Sequence, residues 1–131
     1  MDGRSYRALA SFRHALRVFL SFSEEQARRA GLTSAQHQLL LVVKGWNGRR
    51  SPSMSEVAKQ LQLRLHSALE LVQRAETAGL VRRDVDGEDG RRWLVSITAR
   101  GEQKLAELSV VHRDELRRFR VEMNAILREL D

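Results

Sequence analysis

Cysteine is absent from the 131 residues. That one absence excludes a disulfide framework, a thiolate zinc site, an iron–sulfur cluster, a cysteine nucleophile and thiol-based redox sensing. Long apolar runs are missing as well. The longest, Leu39-Leu40-Leu41-Val42-Val43, falls far short of the ~18 residues a membrane span requires, and no basic stretch leads into an apolar segment of the kind that marks a secretion signal. A soluble, cytoplasmic protein is the expectation. Catalytic signatures are lacking too: His14, His37, His66 and His112 fall on four different predicted helices, with none of the spacings of a helical zinc site. No nucleophile elbow or glycine-rich phosphate loop occurs. Neither an enzyme nor a metal or other cofactor is expected.

What is present is a chain of 42% apolar and 31% charged residues, in the size range of one globular domain. Twenty-three Lys and Arg against seventeen Asp and Glu leave a net charge of +6, with a pI near 10.9, which points toward polyanions. Residues 1–43 carry six basic and three acidic side chains, residues 44–100 eleven and seven, and residues 101–131 six and seven. The excess therefore lies outside the C-terminal segment. Lysine occurs only at Lys44, Lys59 and Lys104; the other cations are arginines, the better bidentate partners for phosphate and guanine. A coding bias toward arginine is the plain alternative.

Between Ser5 and Arg29, Leu9, Phe12, Leu16, Phe19 and Leu20 recur at helical spacing with no Pro or Gly between them, so one long amphipathic helix is predicted. Gly31 suits its left-handed end, and Thr33-Ser34-Ala35-Gln36 has capping-box spacing for a second helix that stops at Gly45. Ser53-Met54-Ser55-Glu56 opens a short third helix. A fourth, from about Leu65 to Ala78, is expected to bury Leu65, Ala68, Leu69, Val72 and Ala75 and to end at Gly79. Two short helices on a tight connection follow the helix-turn-helix plan. The period then changes to two: residues 81–85 and 91–97 flank Asp86-Gly87-Glu88-Asp89-Gly90 as a hairpin, the wing of a winged helix. Thr98 caps a last helix in which Leu105, Leu108, His112, Leu116, Phe119, Met123, Ile126 or Leu127, and Leu130 form a seam. So small a chain cannot cover that seam and the first helix's stripe by itself, which predicts pairing with a second copy.

The order of these elements, with Leu32-Thr33-x-x-Gln36-x-x-Leu39-Leu40, Gly79-Leu80-Val81-Arg82-Arg83 and Asp89-Gly90-Arg91-Arg92-x-Leu94-Val95-x-Ile97-Thr98-x-x-Gly101, resembles the MarR family of bacterial regulators over almost the whole chain. The wing spacing from Asp89 through Arg91 to Thr98 and Gly101 is its most specific part. The resemblance implies a mostly α (α+β) winged helix-turn-helix with a two-stranded wing. Residues 33–101 would bind DNA, and residues 1–32 and 102–131 would form the dimerisation region. It further implies a homodimer on a pseudo-palindromic operator, acting as a repressor, with recognition helices in successive major grooves and wings in the flanking minor grooves.

Arg64, His66 and Ser67, at the start of the fourth helix, are the candidate groove contacts, and Arg91 and Arg92 the candidate wing contacts, with Asp89 orienting Arg91. Glu70 departs from the commoner family form; it either accepts from cytosine N4 or pairs with Arg74 on the solvent side. A small aromatic or lipophilic effector is implied where the dimer helices meet the winged domain, with His14, Arg17, His37 and Leu41 as its candidate lining. A winged-helix protein–protein adaptor that has lost DNA binding is the alternative, suggested by Leu65 and Glu70 in the recognition helix. Membrane binding is disfavoured, because Arg4, Arg7, Arg13 and Arg17 are spread around their helix.

Overall fold

The Asp2 carboxylate accepts a hydrogen bond from the Ser5 amide at 2.9 Å, which starts α1 at Gly3, two residues ahead of the periodic pattern; the helix runs over Gly3–Arg29. It ends through Gly31, whose φ of 83° lies in the region a side chain rarely enters. The computed structural model describes residues 1–130, and these divide into two compact units: residues 1–31 with the last helix from Glu107 onward, and Leu32–Ala106. Among the described residues no helix is long and apolar enough to cross a membrane.

The second unit begins with the Thr33–Gln36 capping box, in which the Thr33 hydroxyl accepts from the Gln36 amide at 3.0 Å and the Gln36 side chain accepts from the Thr33 amide at 3.1 Å. It opens α2 (Ser34–Lys44). A second box, Ser53 with Glu56, opens α3 (Met54–Leu61). Helix α4 (Leu65–Thr77) follows after three residues, and the sharp turn is made by Gln62 at φ 55°, a left-handed position taken without glycine. The Leu63 amide then donates to the Ala58 carbonyl at 2.9 Å, satisfying one of the helix's open acceptors. Leu39, Leu40, Val57, Val72 and Val95 are fully buried in this unit, each burial contributing about 1.5–3 kcal/mol. Leu65 is 55% exposed, contrary to the expectation from its spacing: the first turn of α4 projects past the core that Ala68, Val72 and Ala75 enter.

Strands β1 (Val81–Val85) and β2 (Trp93–Ile97) pair antiparallel, with Val81 opposite Ile97 and Val85 opposite Trp93. The wing is apolar at its base, where Val81 and Val95 are buried, and open at its tip, where Val85 and Trp93 are about half exposed. On the other edge of β2 the Val95 amide donates to the Pro52 carbonyl at 2.9 Å, so the approach to α3 is stitched to the wing. Helix α5 (Ala99–Leu130) begins directly after β2.

In the first unit, α1 and the later part of α5 meet through small residues and rings. Ala8 and Ala15 are buried, Phe19 and Phe119 lie 5.4 Å apart by centroid, and His112 bridges the Leu108 carbonyl and the Ser23 hydroxyl at 2.9 Å each. Leu9, Val18, Leu20, Leu116 and Leu127 remain 42–55% exposed.

The base of the wing is the tightest junction. The Thr98 hydroxyl donates to the Gly79 carbonyl at 2.6 Å and accepts from the Gly101 amide at 3.1 Å, while the Thr98 amide donates to the Leu80 carbonyl at 3.1 Å. A Cβ on Gly101 would stand 2.2 Å from the Leu80 oxygen, closer than backbone atoms can yield. Gly101→Ala is therefore expected to destabilise the chain by about 3 kcal/mol or more despite alanine's better helix propensity. Gly90→Ala, which faces open space, should change stability by under ~1 kcal/mol. Denaturant titration of the two variants checks the contrast.

Candidate nucleic-acid interface

Ala68, Val72 and Ala75 face the core from α4. At about 3.6 residues per turn, the opposite face is His66, Glu70 and Gln73, all exposed. Ser67 and Arg74 flank it on one side, and Leu65 and Leu69 on the other. Arg64 is the N-cap and offers no side-chain hydrogen bond to the first turn. The amides of that turn therefore lack the hydroxyl or carboxylate partner that most helices supply, and they present partial positive charge beside an exposed guanidinium. Among the described residues, Arg64, Glu70 and Arg74 form no ion pair, so the solvent-side pairing expected of Glu70 with Arg74 is not made. Gln73 carries no charge to mark it in the sequence; its position seven residues after His66 is the signal that places it on this face.

The wing is organised by Asp86 rather than by Asp89, the aspartate expected from the spacing of the hairpin. Asp86 is 5% exposed, accepts from the Glu88 amide at 2.9 Å and takes both the Nε and Nη2 of Arg92, at 3.1 and 2.7 Å. Arg92 is thus committed to the hairpin's own interior. Asp89 accepts from the Arg91 amide at 3.1 Å and lies 3.6 Å from the Arg91 guanidinium, which is 95% exposed. Arg83 is bound to Glu76 of α4 at 3.1 Å and covers the Trp93 ring at 5.4 Å from its centroid, a cation–π contact that also ties wing to helix. Ser53, Met54 and Ser55, with Leu65 and Leu69 across from Arg83, Arg91, Arg92 and Trp93, line a cleft of about 300 Å³ between α4 and the wing.

The four residues expected to line an effector site are divided between the units. His14 and Arg17 are exposed on α1. His37 is buried on α2, and Leu41 is 48% exposed on the same helix. Among the described residues no group of three or more His, Cys, Asp and Glu is arranged to hold a metal ion.

The hydrogen bond from the Glu88 amide, followed by the Arg92 contacts, holds the Asp86 carboxyl below its ordinary value of 3.8. A depressed carboxyl stabilises the fold above its unfolded pKa and loses that contribution as pH falls through the folded one. The wing should therefore loosen below about pH 3.8. In a Trp46→Phe background, Trp93 fluorescence is expected to report that change in the acid limb. Asp86→Asn should show a looser wing at neutral pH and a weaker pH response.

Residues 30–92 match the MarR family model. The fold is similar to that of AbsC, a MarR family transcriptional regulator from Streptomyces coelicolor, at 22% identity and a TM-score of 0.80 over 100% of this chain and 89% of that one. It is similar as well to a second S. coelicolor MarR family regulator, solved in complex with DNA, at 24% identity and a TM-score of 0.75 over 91% of this chain and 74% of that one. A mutant MepR from S. aureus bound to an oligodeoxyribonucleotide matches at 17% identity and a TM-score of 0.71 over the full length of both chains. No curated protein matches the sequence. The family model matches residues 30–92, which span the helix-turn-helix and most of the wing, and the fold is shared with these regulators, so the chain is similar to the MarR family across its winged unit.

Proposed function

We propose that the chain is a MarR family transcription regulator that binds a two-fold-related operator as a homodimer and represses transcription from it. The observation that carries the DNA-contact assignment is the uncapped N-terminus of α4, with Arg64 and His66 exposed beside it and Arg91 95% exposed at the wing tip, beside Asp89. Phosphates favour those first-turn amides, the exposed helix face is suited to base edges in the major groove, and a guanidinium on a hairpin tip fits a narrow minor groove. Arg92, held by Asp86, positions the tip. Dimerisation is supported by the exposed apolar side chains of α1 and α5, Leu9, Leu20, Leu116 and Leu127 among them, a surface that monomers rarely leave uncovered. Release by a small aromatic or lipophilic anion rests on the family resemblance, with His14, Arg17, His37 and Leu41 as the residues to probe. A cytoplasmic location goes with this role. A protein–protein adaptor is the second reading, favoured by Leu63 and Leu65, 39% and 55% exposed at the head of α4.

Selection of bound duplexes from a random pool separates the two readings: a regulator enriches a two-fold-related motif and an adaptor enriches none. On the selected duplex, Arg91→Ala should weaken binding to all sequences alike and lower the salt slope by about one per subunit. Arg64→Ala should in addition relax the motif by ~1–3 kcal/mol. Leu116→Asp, which puts a charge into the proposed interface, should yield a monomer or an unfolded chain by light scattering; a wild-type monomer at micromolar concentration contradicts the dimer.

A further inference from the structure

Glu70 stands at the centre of the exposed face of α4, between His66 one turn before and Gln73 one turn after. It is acidic on the element that the proposed function sends into a polyanion. Such a carboxylate is usually neutralised by a neighbour, and Arg74, one turn on, is placed to do so. Yet neither residue forms an ion pair among the described residues, and the nearby wing arginines Arg83 and Arg92 are taken by Glu76 and Asp86. The Glu70 charge is left uncompensated and facing outward.

An uncompensated carboxylate in a major groove meets mostly acceptors: guanine N7 and O6, adenine N7 and thymine O4, with phosphates along both walls. Donors are offered by the exocyclic amines of cytosine and adenine, and only cytosine N4 stands without an adjoining acceptor on its own base. Resting on the DNA-binding reading above, we propose that Glu70 is the specificity-determining residue of the recognition helix. It selects one cytosine in each half-site and lowers affinity for duplexes that lack it. The penalty matters as much as the hydrogen bond, because discrimination is a difference of affinities and the +6 chain would otherwise bind any duplex through its cations. Gln73, seven residues after His66, offers an amide that pairs both edges of an adenine on the same face.

The test compares wild type, Glu70→Gln and Glu70→Ala by duplex selection and by titration of one selected and one scrambled duplex at matched salt; all three should melt alike, since the side chain is exposed and unpaired. Wild type is expected to enrich an invariant cytosine in each half-site. Glu70→Ala should lose that preference by about tenfold or more and bind the scrambled duplex more tightly than wild type. Glu70→Gln should shift the preference at that one position and leave the others intact. Replacing the selected cytosine by an analogue without the N4 amine should weaken wild type and leave Glu70→Ala unchanged. If wild type enriches a motif that Glu70→Ala enriches equally at every position, the assignment of Glu70 is overturned while the regulator reading stands. If wild type enriches no motif, both are overturned.

Discussion

The position of the recognition helix relative to the wing depends on one threonine hydroxyl. Thr98 donates to the last turn after α4 through the Gly79 carbonyl and accepts from the first turn of α5 through the Gly101 amide. The end of α4, the end of β2 and the beginning of α5 therefore meet at a single oxygen. The absence of a side chain at Gly101 lets the Leu80 carbonyl approach to a distance that a Cβ would forbid. The proposed base-reading role requires α4 to be held to fractions of an ångström, and this junction ties the end of α4 to β2 and α5. The wing is braced a second time by Arg83, which grips Glu76 of α4 while covering Trp93, and a third by the Pro52 carbonyl on the outer edge of β2.

Net positive charge alone is a poor guide to where this protein meets a polyanion. Arg50, Arg82, Arg83 and Arg92 are each bound to a carboxylate within the winged unit, so they hold loops and strands in place. The outward potential comes from Arg64 and Arg74 on α4, from the exposed Arg49, Lys59 and Arg100 elsewhere in the unit, from Arg91, 95% exposed beside Asp89 at the tip, and from the uncapped amides of the first turn of α4. Glu70 sits among these as a local subtraction, which in the proposed role confines tight binding to a surface that can satisfy a carboxylate.

Elements announced by local chemistry were readable in the sequence. The Thr33 and Ser53 capping boxes, the left-handed Gly31 and Gly79, and the hairpin with its change of period all rest on contacts within a few residues; each is present, with the second strand starting at Trp93, two residues later than its spacing suggests. Features decided by distant contacts or by competition were not. Leu65 fits the apolar period of α4 but lies beyond the core, since periodicity gives direction around a helix and says nothing of where the packing stops. Asp86 and Asp89 are alike as turn aspartates, and only the folded hairpin shows Arg92 turning toward the former. Gln62 in a left-handed turn carries no glycine to mark it, and Gln73 carries no charge to draw attention to its place on the exposed face of α4.

Amide hydrogen exchange, followed residue by residue with and without a selected duplex, tests most directly that α4 and the wing tip are the surface that meets DNA. Duplex is expected to slow exchange at the uncapped first turn of α4, Leu65 to Ser67, and at the hairpin tip around Arg91, with little change at the interior amides of α2. Slowing confined to other elements, or unchanged exchange at the start of α4 in a saturated complex, would contradict it.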